Sequence, residues 1–529
     1  TEAENTGAMA DSSLIFKAME DEMAHVCHEL ATRHNTVPLF VNYVLERKHT
    51  SGTESSGGVC VNKRKGNVKN SISVHIFLGD SLVTNDTGVE HHPQNIPDEI
   101  GYDRIRDAFR SKSEIAYQGA VQRLDNKRTH LKQNPKPADN AVVPEFKRMP
   151  PAVWIGPSAL TIPCPVTDME QLSNRLSKVF SDYPELFNHC VKVYQKRVDY
   201  YRLTSEGQKI LQPDTVFHIT ARASIKTDGN EVKTEYYRLH VGGINDLPSE
   251  DALIGELHRF AEYMQQKSQA KAVEDLYIGP VLYEDDAAME LLAEKIADYS
   301  HSYWISIRNQ SDRKHRYLGK QVFPPALSVC QLGNDSVYNG VKLLGYRQVD
   351  ADGTKPKTLP IIEKGILKHM LTGRTPSLGC PASTGNEHFD GLSRTLETRY
   401  TAGVFRVTSN RPVPYSKLYK RFLKAAKKAG LEHTYIIRKN RTSPYALIRV
   451  DLSTGKEELV EGNYNSPSRE QFKRMHAISK EENVYNLDPA GGKGLGIISP
   501  KAILLEDMEL DITPNRARHI DEAFYELRH

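Results

Sequence analysis

Chemistry in this chain would have to come from a few residue patterns. Twenty histidines are present, and His28-Glu29 is the only place where a His directly precedes a Glu. A helix-borne zinc site needs two imidazoles on one helix face with a carboxylate beside them as general base. The next histidine, His34, is six positions after His28, on a different face of a 3.6-residue helix. Neither His-Glu-x-x-His nor His-Glu-x-x-x-His occurs anywhere in the chain. His25 and His28 flank Cys27 at a spacing that could share a metal, yet no third ligand lies nearby, and they read as a solvated helix face. Gly491, Gly492, Gly494 and Gly496 surround Lys493, but a phosphate loop needs Ser or Thr after the lysine and Gly494 stands there, so a loop is expected. Cys380 sits in a Gly-Cys-Pro turn with no neighbouring His to activate it and reads as a structural thiol. The six cysteines form no Cys-x-x-Cys pair. Buried thiols are the simplest reading, with long-range disulfides as the alternative in an oxidising compartment.

The elements that must position these residues are legible from periodicity. At 529 residues the chain exceeds what one core can serve, so two or three domains are expected. Composition is that of a globular protein, with 39% hydrophobic and 26% charged residues, and no apolar run reaches membrane-spanning length. A net charge of +3 gives no drive towards nucleic acid or an anionic membrane. Ile15, Met19, Met23, Val26 and Leu30 recur at steps of three and four and predict a first helix capped by Asp11 or Ser12. Strands are expected at residues 39–47, 53–64 and 71–78, then a helix at about 102–131, then a proline-marked break around 133–152. The style repeats with a helix at about 168–181, strands at 191–203, 215–225 and 231–241, and a helix from Ser249.

Residues 1–272 therefore read as an α+β region of helices packed on antiparallel sheet. Residues 273–529 read as a β-rich, barrel-like domain, with strands at 276–283, 327–331, 343–349, 359–363, 366–371, 434–438, 445–451 and 502–505. Two helices interrupt them, one after Asp285 and Asp286, the other at about Ser416 to Ala429. The second carries Lys417, Lys420, Arg421, Lys424, Lys427 and Lys428 on one side and Leu418, Phe422, Ala425 and Ala429 on the other. A solvated basic face is the plain reading and a patch for an acidic partner or peptide the sharper one. Without aromatic interleaving the stripe does not suggest nucleic acid.

Within the β-rich half, Leu359–Glu363, the turn Lys364-Gly365 and Ile366–Leu371 give a hairpin signal, followed by a polar loop ending in Ser383-Thr384-Gly385-Asn386. Together with Gly279–Glu284, Asp352-Gly353, Gly365-Ile366-Leu367, Leu459–Gly462 and Ile498–Leu504, this order of motifs resembles the TldD/PmbA (TldE) family over nearly the whole chain. The N-terminal module, with its Leu78-Gly79-Asp80 close, resembles an extracytoplasmic branch. That implies an exported protein, with a cytoplasmic one as the alternative. A start at Thr1 fits either a processed or a trimmed chain.

The resemblance implies a heterodimer that cleaves extended or unfolded peptides. One subunit, the TldD type, carries zinc on a His-Glu-x-x-x-His helix; the other, the PmbA/TldE type, completes the chamber without metal. The helix after the 276–283 strand is where that motif is sought, and Glu284–Leu292 contains no His. The chain thus resembles the non-catalytic subunit, with no metal ligand or cofactor of its own and zinc expected in a TldD-type partner. Ile366, Leu367, Lys368, Thr384, Gly385 and Asn386 are the candidates for a peptide-binding surface by strand addition. A self-sufficient hydrolase acting as a homodimer, and a peptide-binding scaffold, are the alternatives.

Overall fold

Apolar spacing organises the first half. In a computed structural model, helix α1 (Ser12–Arg33) buries Ile15, Met19, Met23, Val26 and Leu30, the residues whose periodicity predicts it. Helix α2 (Tyr102–Gln133) packs beside it through Ile105, Phe109, Ala120 and Leu124. Helix α3 (Val166–Ser177) runs into a 3-10 turn, and α4 (Glu250–Ser268) starts where the Ser249 hydroxyl accepts the Ala252 N–H. The structure describes residues 12–87, 93–136, 143–163, 165–273, 276–300, 314–375, 379–389, 396, 398–400, 403–443, 445–462, 466–487 and 495–510. Asp11, Cys164 and the glycine loop around Lys493 lie outside them.

The four helices cover one face of a large sheet. Its strands are β1 (Phe40–Ser56), β2 (Val59–Arg64), β3 (Lys69–Phe77), β4 (Gln94–Ile96), β5 (Ala152–Ile155), β6 (Phe187–Thr204), β7 (Gln208–Lys226) and β8 (Val232–Val241). The order is β8-β7-β6-β1-β3-β4, with β2 added to β1 and β5 to β7. The strands expected at 39–47 and 53–64 are in fact one 17-residue strand and a separate β2, because the chain reverses at Gly57-Gly58 rather than in the polar stretch before Thr53.

The second half contains β9 (Lys271–Ala272), β10 (Tyr277–Asp285), α5 (Asp286–Ser300), β11 (Leu327–Gln331), β12 (Val337–Tyr338), β13 (Val341–Lys342), β14 (Leu359–Glu363) and β15 (Ile366–Leu367). After these come β16 (Glu387–Phe389), β17 (Thr398–Tyr400), β18 (Val404–Ser409), α6 (Tyr415–Lys428), β19 (His433–Lys439), β20 (Thr442–Ser443), β21 (Ala446–Asp451) and β22 (Glu457–Glu461). The last elements are α7 (Arg469–Lys473), β23 (Ala477–Ile478), β24 (Glu482–Leu487), β25 (Leu495–Pro500) and β26 (Ala502–Leu510).

A sheet ordered β23-β26-β10-β19-β21-β22-β9 and another ordered β15-β14-β11-β18-β25-β24 enclose the main core with α5. Both are open, so the expected barrel is not formed: consecutive strand runs do not pair in a ring, and β10 instead takes β19 and β26 as neighbours. Helix α6 packs on the other face of the first sheet through Leu418, Phe422 and Ala426. The expected Ala425 and Ala429 are replaced at the buried seam by the four-residue spacing from Phe422 to Ala426. Residues 343–349, expected as a strand, form no ladder: the Leu343 and Leu344 N–H groups go to Ser336 O and Asn486 Oδ1. The expected 366–371 strand is only β15, since Lys368 and His369 turn back to donate to Ile361 O. The halves also share a ladder, because β20 pairs with β8, Thr442 opposite Tyr237.

Candidate functional site

The segment from Asp350 to Asn386 is where the two halves meet. Asp350 Oδ1 accepts the N–H groups of Asp352 and Thr354, both at 2.9 Å, and its Oδ2 accepts the Glu387 N–H at 3.1 Å. One carboxyl thus folds the turn and ties it to β16. Asp352 reaches across to Arg202 of β6 at 3.1 Å and to Arg374 at 3.5 Å. Arg202 also donates to Asn42 Oδ1 and Ala351 O, both at 2.9 Å. Arg374 pairs with Glu206 at 2.7 Å and lies over the Phe40 ring at 4.1 Å and the Phe146 ring at 5.2 Å.

These charged side chains are buried, and four carboxyls (Glu206, Asp350, Asp352, Glu387) face two guanidinium groups. Protons and arginines divide the excess. Burial, followed by the charges of Asp352 and Glu387, holds Asp350 well above the usual carboxylate range. Burial and then the charge of Asp352 push Glu387 up to about 7. For Asp352 burial acts in the opposite sense, yet Arg202 and Arg374 hold its carboxyl below the usual range. The cluster is a clasp: it has strong electrostatics and perturbed acids but is packed shut.

The loop at Thr384–Asn386 belongs to this structural core. The Thr384 hydroxyl accepts the Thr372 N–H at 2.8 Å and reaches Asn386 Oδ1 at 2.7 Å. The amides of Asn386 and Gln331 form a reciprocal pair at 2.6 and 3.1 Å. Gly385 has φ +77°, and a Cβ there would stand 2.6 Å from Lys355 O, which explains a glycine between two buried polar residues. Beside it lies a small cleft, with room for no more than about one water, lined by Gln331, Pro356, His388 and Val404, among others.

Ile366 and Leu367 pair with Glu363 and Ile362 across a turn in which Lys364 and Gly365 both have positive φ. The outer edge of this hairpin is already taken: Leu367 N–H donates to Lys320 O at 3.0 Å and Leu367 O accepts the Gly319 N–H at 2.8 Å. Leu367 is in the core and Lys368 is exposed. The structure therefore brings the two groups of candidate residues into one domain but does not leave a bare strand edge beside them.

A second polar cluster, with His218 buried at its centre, lies on the large sheet, on the side away from α1–α4. Register places Gly52, Tyr194, His218 and His240 in a row across β1, β6, β7 and β8. Tyr194 stacks on His218 with centroids 4.3 Å apart, and His218 Nδ1 lies 2.7 Å from His240 Nδ1, so one imidazole donates to the other. A Cβ on Gly52 would come within 2.4 Å of the Tyr194 Cβ, so glycine lets β1 and β6 close under that ring. Lys192, Lys196, Arg222 and Arg238 alternate onto the same face. Sequence reasoning passes over this row because its members come from four strands. Beyond β1, the outer edge of β2 has no further strand among the described residues, and it exposes Val59 and Val61. His25, by contrast, meets Glu29 at 3.6 Å on α1, and His28 is exposed there.

Helix α5 follows the strand after which the resemblance seeks a metal motif. Asp286 Oδ2 accepts the Arg441 N–H at 2.7 Å, and Glu290 pairs with Lys439 at 2.5 Å, so both carboxylates of the first turns are bound to the β19–β20 connection. Burial pushes Asp286 up to about 6. Met289, Leu291 and Leu292 face the core. This donor set does not fit zinc, and among the described residues no group of three His, Cys, Asp or Glu side chains is arranged to hold a metal ion.

Residues 278–412 match the family model of the PmbA/TldA metallopeptidase C-terminal domain. No curated protein matches the sequence. The fold is similar to that of a protein named as a modulator of a DNA gyrase from Thermotoga maritima, at TM-score 0.58 and 13% identity, covering 93% of this chain and 100% of that one. It is also similar to TldE from Thermococcus kodakarensis, at TM-score 0.56 and 11% identity over 93% of this chain and 100% of that one. A modulator of DNA gyrase from Bacteroides thetaiotaomicron aligns at TM-score 0.59 and 12% identity over 94% and 98% of the two chains.

Proposed function

We propose that the chain is a PmbA/TldE-like, non-catalytic subunit of a zinc peptidase complex acting on extended peptides, a reading supported by the match of residues 278–412 to the PmbA/TldA metallopeptidase C-terminal domain. The observation that carries this reading is helix α5. Where the resemblance puts a zinc motif in the catalytic subunit, this chain has Asp286 and Glu290 bound to Arg441 and Lys439. Its part would then be to shape the chamber and hold the substrate backbone. The edge of β2, continuous with the polar face of the sheet, suits that role better than the covered β15 edge. Strand addition there would use backbone hydrogen bonds and ask little of the peptide sequence. The proposal includes export, by likeness of the N-terminal module, which fractionation of the source cell checks.

The test is metal analysis and peptide cleavage by the purified chain, alone and mixed with a TldD-type partner. The expected result is no zinc and no cleavage alone, with chelator-sensitive cleavage in the mixture. Stoichiometric zinc and cleavage by the isolated chain would establish a self-sufficient hydrolase instead; failure to bind any zinc-bearing relative would leave a scaffold.

A further inference from the structure

Helix α6 holds six cations, Lys417, Lys420, Arg421, Lys424, Lys427 and Lys428, and every one is exposed. Among the described residues none of them enters an ion pair, although exposed lysines and arginines elsewhere are matched, as in Lys69–Asp98 and Arg449–Glu458. Like charges at i,i+3 and i,i+4 weaken a helix, so the fold carries this row against a local penalty and offsets it by packing Leu418, Phe422 and Ala426 on Leu282, Ile436 and Leu504. Two carboxylates beside the helix are engaged elsewhere: Glu457 receives Tyr419 and Arg438, and Glu481 receives the Tyr415 N–H.

We infer that α6 is a docking surface for an acidic polypeptide segment. From Lys417 to Lys428 the row is about 16 Å long at 1.5 Å per residue, which an extended chain spans with about five residues. A carboxylate-rich stretch of that length turns alternate side chains, about three of them, onto the row. The other polyanions fit less well. Tyr415 and Tyr419 direct their hydroxyls to Glu284 and Glu457 rather than presenting free rings for bases. The exposed side has no large apolar residue to enter a bilayer. The net charge of +3 supplies no long-range field for nucleic acid. This inference is independent of the peptidase reading, since α6 lies across the seven-stranded sheet from α5.

The test uses the full chain and a fluorescent ten-residue oligoglutamate, read by anisotropy at 50 and 300 mM NaCl. The wild type is expected to bind at low salt and at least tenfold more weakly at high salt. A K420Q/R421Q/K424Q/K427Q variant should keep its thermal midpoint and bind at least tenfold more weakly at 50 mM. No binding by the wild type, equal binding by the variant, or tighter binding of a DNA duplex or of phosphatidylglycerol vesicles at matched charge would each overturn the inference.

Discussion

Glu387 shows how a single residue can set the behaviour of the clasp. Burial and the Asp352 charge raise its carboxyl from 4.5 to about 7, so the folded chain holds a proton that the unfolded chain releases. The stability this contributes is complete below about pH 4.5 and is lost as pH rises through about 7. Asp352 works in the opposite direction: held below 3.8 by its two arginines, it adds stability above that value and loses it on stronger acidification. The clasp should therefore be tightest in mildly acidic solution. Thermal melts between pH 5 and 8 should show the midpoint falling from pH 5 to about 7 and levelling above it, with a loss on the order of 1–3 kcal/mol, and E387Q should flatten that decline. A wild-type midpoint indifferent to pH in this range would remove the argument. Arg374 is the clasp's other critical residue. R374M keeps volume between Phe40 and Phe146 but leaves Glu206 and Asp352 short of a buried cation. Breaking a buried pair from one side costs roughly 3–5 kcal/mol, measurable by urea denaturation; a loss below about 1 kcal/mol would mean that water or repacking already supports those carboxylates.

At the scale of elements, the peptide-holding proposal makes the edge of β2 its weak point. Val59 and Val61 are exposed on a strand with no further neighbour among the described residues, so V59K/V61K alters the edge without touching the core. In the complex with a zinc subunit, KM for an unfolded peptide should rise by about tenfold while kcat holds; an unchanged KM would move the substrate elsewhere. The same scale shows what could be read from sequence. Helices α1, α2 and α4 were legible because each has a single apolar stripe, and the Lys364-Gly365 turn because only a few residues accept two successive positive φ values. Residues 343–349 were not, since Leu343 and Leu344 are buried by loop packing that has no period of two. Thr384 and Asn386 were visible as a motif, but their polar character suggested a surface; only the pairing with Thr372 and Gln331 shows that they are interior. The Tyr194–His218–His240 row left no local signal, because cross-strand register brings its members together.

The whole molecule inverts the usual expectation for a chain of 529 residues, that its halves melt separately. β20 from the second half completes the ladder of β8 in the first, and the Arg441 beside it pairs with Glu256 on α4. Arg347 meets Asp214 at 3.0 Å, Lys233 pairs with Glu461, and the clasp joins Arg202 to Asp352. Apolar packing runs across the same seam, with Val44, Val198 and Tyr200 against Ala351, Phe389 and Leu396. Separating the halves would strand charges on both sides, so neither should remain folded once the other has opened. Heating at pH 6 should give one transition with coincident far-ultraviolet dichroism and tryptophan fluorescence, part of which comes from Trp154 at the seam, which donates to Gln348 at 3.3 Å; a W304F background isolates that part. R374M should pull the fluorescence change to lower temperature than the dichroism, because it weakens the seam before either sheet. Two separate transitions in the wild type would show instead that the shared ladder and the clasp are too weak to couple the halves.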